Sequence, residues 1–141
     1  MRIIRRPLAP AENDYELVWL CVTLVSLALA AGWLAVGLPW PHCVFLALTG
    51  HPCVTCGATR CAIAFFHGNF VGAWKWNPLV FVALGAISIL DAYAFVVLIT
   101  HGRRLRLTSF SVGEKNFGRI LIVVGLLVNW IYLLSRPPGV F

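Results

Sequence analysis

Long apolar stretches alternate with short polar ones along the chain. Residues 17–38, 78–100 and 117–134 are predominantly apolar. A helix rises about 1.5 Å per residue, and about 20 such residues cross the hydrocarbon core of a bilayer. The pattern therefore predicts an all-α integral membrane protein with three transmembrane helices.

The second span starts with residues that favour the beginning of a helix. Asn77 is a preferred N-cap, and Pro78 takes the first-turn position where its missing N–H is not needed. The first span has a competing interpretation as a secretory signal peptide, because arginines precede it and Ala28-Leu29-Ala30 resembles a cleavage site. Its apolar run is too long for a signal core and continues past that site, so we favour a retained anchor.

Basic residues in the polar segments predict the orientation. The chain carries 11 Lys and Arg against 5 Asp and Glu, a net charge of +6. Most of the basic residues lie in a tail at 1–16 and a loop at 101–116, whereas residues 39–77 contain only Arg60 and Lys75. Because basic connections stay in the cytoplasm, we expect a bacterial plasma-membrane protein with a cytoplasmic N-terminus and an extracytoplasmic C-terminus. Basic blocks beside apolar spans do not favour nucleic-acid binding.

The connection between the first two spans is predicted to enter and leave the membrane at its outer face. A full crossing there would invert the second span and place the basic loop outside. Gly50 and Pro52 interrupt the path, and the apolar segment before them is too short to span. We therefore expect residues 39–77 to form a re-entrant or interfacial helical insertion covered by the neighbouring spans. Residues 135–141 form a short tail after the last span.

Cysteines are concentrated in this insertion. Cys53 and Cys56 are three residues apart, a spacing that lets two sulfurs bind one metal ion or form a disulfide. Cys43 lies before the predicted turn, so a hairpin would bring it alongside. The candidates for the fourth ligand of a tetrahedral zinc site are His42, His51, His67 and Cys61. The competing interpretation, that cysteines are packed as small apolar residues, is the one we adopt for Cys21.

The same cysteines allow a redox function. On the oxidising outer side of a membrane, Cys53 and Cys56 would form a disulfide part of the time. A membrane thiol–disulfide oxidoreductase would then pass electrons between a partner thiol and a quinone. Such an enzyme usually needs a second shuttle pair, for which only Cys43 with Cys61 remains, and this weakens the redox hypothesis.

The middle third of the chain resembles a known family. The residues that carry the resemblance are Cys43, Thr49-Gly50, Cys53-x-x-Cys56-Gly57-x-Thr59-Arg60, His67-Gly68, Ala73 and Asn77-Pro78. This string is similar to the bacterial membrane-protein family catalogued as domain of unknown function 2752. The resemblance implies a site of the three cysteines supported by Thr59, Arg60, Asn77 and Pro78. It sets Cys61 aside, because a small residue is usual there, and it implies no established activity.

Three polar residues stand in apolar surroundings. Arg60 would face water or pair with a thiolate, a backbone carbonyl, a lipid phosphate or Asp91. A helix beginning near Thr55 would also place the Arg60 charge where it favours a thiolate. Asp91 lies within the second span and Asn129 within the third. A hydrogen bond between them would join the helices, and we favour that role over proton or ion transport.

These features predict a small polytopic membrane protein with a non-catalytic accessory or binding role. Its site would hold zinc or a disulfide at the outer face, using Cys43, Cys53 and Cys56 with His67 or Cys61 as a further member. A membrane thiol–disulfide oxidoreductase is the first alternative, and a small oligomeric transporter or lipid-handling protein is the second. The expected partners are the lipid bilayer and other membrane proteins or further copies of the chain.

Overall fold

The structure of this chain is a computed structural model. It describes residues 2–6, 13–37, 43–100, 104–109 and 111–136. His42, which the sequence analysis named as a candidate ligand, lies outside these residues.

Helices dominate the described residues. In chain order the elements are β1 (Arg2–Arg6), α1 (Tyr15–Ala35), α2 (Val44–Thr49), α3 (Ala58–Phe66), α4 (Phe70–Trp76), α5 (Pro78–Thr100), β2 (Arg104–Ser109) and α6 (Val112–Leu134). Three of these helices, α1, α5 and α6, are long and apolar enough to cross a membrane. The predicted all-α membrane fold with three spans is therefore confirmed, and three short helices lie between the first two of them.

The ends of the long helices follow from their capping residues. α5 occupies the range expected from the sequence. α6 begins at Val112, five residues before the expected start at 117. Ser111 Oγ accepts the N–H of Glu114 at 3.3 Å, and the Glu114 carboxylate accepts the N–H of Ser111 at 2.9 Å. This reciprocal pair is a capping box, and it explains the earlier start.

The chain divides into two compact units. The first comprises Met1–Trp40 and Ile87–Lys115, and the second comprises Pro41–Ala86 and Asn116–Phe141. α1 and the two strands belong to the first unit, and the short helices belong to the second.

A two-stranded antiparallel ribbon in the first unit joins the segment before α1 to the segment after α5. Its register pairs Ile3 with Leu107 and Arg6 with Arg104. The sequence pattern predicts a polar tail and a polar loop here, without strands. β2 nevertheless alternates basic and apolar residues at its start, which is a strand pattern and the signal that could have identified the ribbon.

Arg104 connects this ribbon to the start of α1. Its guanidinium donates to the carboxylate of Asp14, with Nη2 and Oδ2 2.6 Å apart, and to Oε2 of Glu16 at 3.1 Å. The hydrogen bond to Asp14 raises the pKa of Arg104. Asp14 is also the N-cap of α1, where its side chain accepts the N–H of Leu17 at 3.2 Å. The carboxylate of Asp14 thus both caps the N-terminal end of α1 and binds Arg104 of β2.

The second unit packs the short helices against the start of α5. α3 contacts α4, and the side chains of Cys61 and Ala73 are fully buried. The Phe65 ring lies edge-on to Phe70 and Phe81, with centroids 5.5 and 5.8 Å apart. Aromatic pairs at these separations and angles contribute about 0.5–1.5 kcal/mol beyond their burial. The contacts fix α3 and α4 beside the first turns of α5, where the cysteine-bearing turn also lies.

Candidate metal centre

Three cysteines of the second unit bring their sulfur atoms together. The Sγ atoms of Cys43, Cys53 and Cys56 all lie within 4.8 Å of one another, and those of Cys43 and Cys53 are 3.3 Å apart. All five cysteines of the chain are free. A tetrahedral zinc ion with Zn–S bonds of about 2.3 Å separates its sulfurs by about 3.8 Å. The cluster therefore needs only a small side-chain adjustment to hold such an ion.

Two glycines shape the chain that carries these cysteines. Cys43 is the N-cap of α2, and its sulfur accepts the N–H of Leu46 at 3.5 Å. Gly50 ends α2 with φ +71°, and Gly57 precedes α3 with φ +79°. Both are left-handed conformations that glycine adopts without a steric cost. The chain therefore reverses between them, which returns the Cys53 side chain to Cys43.

The turn from 52 to 56 is held through its backbone carbonyls. Asn77 Nδ2 donates to the carbonyls of Val54 and Cys56, each at 3.0 Å. Asn129 Nδ2 also donates to the Val54 carbonyl at 3.0 Å, and Trp130 Nε1 donates to that of Pro52 at 3.0 Å. Three alternate carbonyls of one turn thus accept side-chain hydrogen bonds, which fixes the path of the chain around the cysteines.

Asn77 and Asn129 cap α5 with their other side-chain atoms. Asn77 Oδ1 accepts the N–H of Val80 at 3.1 Å, and Asn129 Oδ1 accepts the N–H of Leu79 at 3.1 Å. The predicted capping role of Asn77 before Pro78 is confirmed. Both asparagines are buried, and each satisfies its donor and its acceptor, as buried amides require.

The thiols of the cluster differ in environment. Cys43 and Cys53 are partly exposed, whereas Cys56 is 5% exposed. Burial raises the pKa of Cys56 to about 11. The pKa of Cys43 is lowered, first by the hydrogen bond from the Leu46 N–H and then by that of the neighbouring Cys53. Cys53 Sγ also lies 3.4 Å from Thr55 Oγ1, a hydroxyl that can donate to a thiolate.

The other predicted ligands lie outside the cluster. Cys61 is fully buried, and its thiol donates to the carbonyl of Asn77 at 3.6 Å. Burial raises its pKa. His51 and His67 are exposed, and within the described residues no histidine joins the three sulfurs. The arrangement thus provides three thiols, together with a buried fourth cysteine that supports Asn77.

Two of the predicted supporting residues, Thr59 and Arg60, lie at the start of α3. α3 begins at Ala58 after the Gly57 cap, three residues after Thr55, where a helix start would have let the Arg60 charge favour a thiolate. Thr59 lies in the first turn of α3, and the Arg60 guanidinium lies over the Trp76 ring, 4.8 Å from its centroid. This is a cation–π contact, and it places the Arg60 charge beside the α4 aromatic residue.

The two intramembrane polar residues have other partners than each other. Asp91 Oδ1 accepts the hydroxyl of Thr23 at 3.0 Å within the first unit. Asn129 bonds the cysteine turn and the start of α5, as described above, within the second unit. The predicted hydrogen bond between Asp91 and Asn129 is therefore wrong, and each side chain instead joins α5 to a different long helix.

Trp130 is the functional residue that sequence reasoning missed. A tryptophan near the end of an apolar span is typical of a membrane interface, so nothing local indicated its bond to Pro52. Tyr132, two residues later, likewise donates its hydroxyl to the carbonyl of Lys75 at 3.1 Å. Asn129, Trp130 and Tyr132 put three hydrogen-bonding side chains near one end of the last span, but this clustering identifies none of their partners.

Comparison with known proteins supports the resemblance. A family model described as "Protein of unknown function (DUF2752)" matches residues 43–90. This is the family that the motif predicted, and the matched stretch contains the three clustered cysteines with Asn77 and Pro78. No curated protein and no solved structure matches the chain.

Proposed function

We propose that this chain is a small multi-pass protein of the bacterial plasma membrane that holds a zinc ion between Cys43, Cys53 and Cys56. Its role is that of a non-catalytic accessory or binding module. The observation that carries the proposal is the convergence of three sulfur atoms within 4.8 Å. Thiolates are the ligands that structural zinc sites use most.

The surroundings of the cluster favour a metal over simple packing. Packed cysteines need no special backbone, whereas here Asn77, Asn129 and Trp130 all hold the carbonyls of the turn that presents two of the sulfurs. Neighbouring hydrogen bonds that orient ligands are typical of metal sites. Since both asparagines are fully used in this support, the turn that carries the sulfurs is held in one path.

The ribbon supports an outer-face location for the site. β1 precedes α1 and β2 follows α5, and the two strands pair, so we expect the N-terminal end of α1 and the C-terminal end of α5 on the same side of the membrane. The insertion between these helices then enters and leaves the same face. The basic residues of both strands favour the cytoplasm. This supports an insertion that lies outside as a re-entrant or interfacial segment, and a C-terminus that also lies outside.

Lipid and neighbouring membrane proteins are the proposed partners. The apolar window of α1 has no buried residue, so its surface is available to acyl chains or to another span. A further copy of the chain would fit the same surface.

A second candidate function is thiol–disulfide exchange. The 3.3 Å separation of the Cys43 and Cys53 sulfurs favours it, since both of these thiols are partly exposed. Oxidation would remove two electrons and two protons from them and transfer both to a quinone or to a partner disulfide. This pair differs from Cys53 with Cys56, which the sequence favoured.

One experiment separates the two candidates. The protein is purified in detergent under mild conditions, its metal content is measured, and its free thiols are counted with and without reductant. We expect about one zinc per chain, no additional thiols after reduction, and loss of zinc in Cys43→Ser, Cys53→Ser and Cys56→Ser. Cys21→Ser, in α1, is the matched control and should keep its zinc. Absence of metal together with two thiols released by reductant would refute the zinc site and support exchange.

A further inference from the structure

We infer that the metal of this centre takes its fourth ligand from outside the chain, and that this position accepts a small thiol. The inference rests on the proposed zinc site and names the ligand class that the site would bind. Among the described residues three sulfurs converge, whereas zinc in a protein site takes four donors.

Among the described residues, none of the fourth ligands predicted from the sequence belongs to the sulfur cluster. Cys61 is fully buried and donates to the Asn77 carbonyl. His51 and His67 are exposed and do not belong to the sulfur cluster. Among the residues that the structure describes, the three cysteines are the complete group of converging metal ligands.

Exposure indicates the side from which an external ligand approaches. Cys56 is the buried member of the cluster, whereas Cys43 and Cys53 are partly exposed. A ligand from outside the chain would therefore approach the cluster on the side of Cys43 and Cys53.

The chemistry of the three ligands selects the external donor. Thiolates are soft donors, and sites built from them suit metals that prefer sulfur. A three-thiolate zinc site with an open position is the pattern of sites that exchange a ligand, since closed structural sites use four protein donors. A thiol is thus the natural fourth ligand, and it would lose its proton on binding.

Cobalt(II) substitution provides the test, because the visible absorption spectrum of bound cobalt depends on its ligands, whereas zinc has no visible absorption spectrum. The full chain in detergent is loaded with cobalt and kept reduced with a phosphine. 2-Mercaptoethanol is then added, with ethylene glycol as the oxygen analogue. We expect a saturable, reversible change in the sulfur-to-cobalt absorption with the thiol and none with the glycol.

Three variants make the outcome decisive. His51→Ala and His67→Ala, at exposed positions outside the cluster, should respond to the thiol as the unmodified protein does. A protein that binds one cobalt but does not respond would overturn the inference and leave the metal site intact. The inference is also overturned if His42→Ala responds and the unmodified protein does not, because His42 is then the fourth ligand. Failure to bind cobalt or zinc at all would instead contradict the proposed function.

Discussion

Every polar atom of the Asn77 side chain has a partner. Oδ1 caps α5 through Val80, and Nδ2 holds two carbonyls of the cysteine turn. Because the residue is fully buried, water cannot replace these bonds in an alanine variant. We expect Asn77→Ala to lower the free energy of unfolding by about 2 to 4 kcal/mol, measured by thermal and denaturant unfolding in detergent.

Asn77→Asp separates the two roles of this side chain. An aspartate keeps the capping oxygen for Val80 and loses both donors to the turn. We therefore expect it to retain the helicity of α5 while releasing zinc to a chelator faster than the unmodified protein. Equal stability of Asn77→Ala and the unmodified protein would show that the turn does not depend on this residue.

The clustered thiols should differ in reactivity when no metal is bound. The pKa of Cys43 is lowered by the Leu46 N–H, whereas burial raises that of Cys56 to about 11. The thiolate is the reactive form, and each pKa unit changes its fraction about tenfold at neutral pH. Pulsed alkylation at pH 7, measured peptide by peptide with mass spectrometry, should therefore modify Cys43 at least about tenfold faster than Cys56.

Raising the pH is the internal control for this difference. As the pH approaches the pKa of Cys56, its thiolate fraction rises while that of Cys43 is already high, so the ratio of the two rates should fall. Added zinc should protect both thiols. Faster alkylation of Cys56 than of Cys43 at pH 7 would contradict the environments described for the two sulfurs.

The residues that meet at the site were only partly predictable. Cys53 and Cys56 are three apart, and Asn77 precedes a proline at a helix start, so local spacing was enough to select them. Asn129 and Trp130 lie more than 70 positions from their carbonyl partners in the turn. No local sequence pattern encodes a contact between residues so far apart in the chain. These hydrogen bonds become evident only in the structure, where α6 packs against the turn.

At the scale of elements, the ribbon is joined to α1 by one buried arginine. Glu16 is 7% exposed, so Arg104→Ala would leave its carboxylate buried without this cation. Removing one partner of a buried pair costs several kcal/mol, and partial exposure of Asp14 reduces this. We expect a loss of about 2 to 3 kcal/mol, measured by thermal unfolding, with faster amide hydrogen exchange in peptides that cover β2.

Two further variants make this prediction specific. Arg104→Lys keeps the charge but lacks the planar fork that contacts two carboxylates, so its stability should be intermediate. Lys115→Ala, at an exposed position in α6, should change neither stability nor exchange. If Arg104→Ala leaves the exchange of β2 unchanged, the strand is held by its backbone pairing and by the Tyr93 hydroxyl, which accepts the Leu105 N–H.

The long helices were predictable from the sequence, and the strands were not. An apolar run of about 20 residues strongly predicts a transmembrane helix, because few other structures can keep so many consecutive apolar residues away from water. A strand of five or six residues gives a short alternation that resembles many loops. The start of α6 was only partly predictable. Its capping box at Ser111 and Glu114 can be recognised in the sequence, but these residues lie in a polar segment that hydropathy assigns to a loop.

For the whole molecule, the ribbon and the charge distribution point independently to one topology. Strand pairing requires the segments before α1 and after α5 to share a side, whatever the orientation of the protein. The basic residues then favour the cytoplasm for that side. With three spans, we expect the C-terminus on the opposite side of the membrane from the N-terminus.

Epitope tags at the two ends test this topology in right-side-out membrane vesicles treated with protease. We expect the N-terminal tag to be protected and the C-terminal tag to be removed, while detergent exposes both. Protection of both tags, or removal of both, would require an even number of crossings, so one of the three apolar helices would not span. The reverse pattern would keep the three spans and the ribbon, and it would place the cysteine cluster on the cytoplasmic face, where a reducing environment favours bound metal over a disulfide.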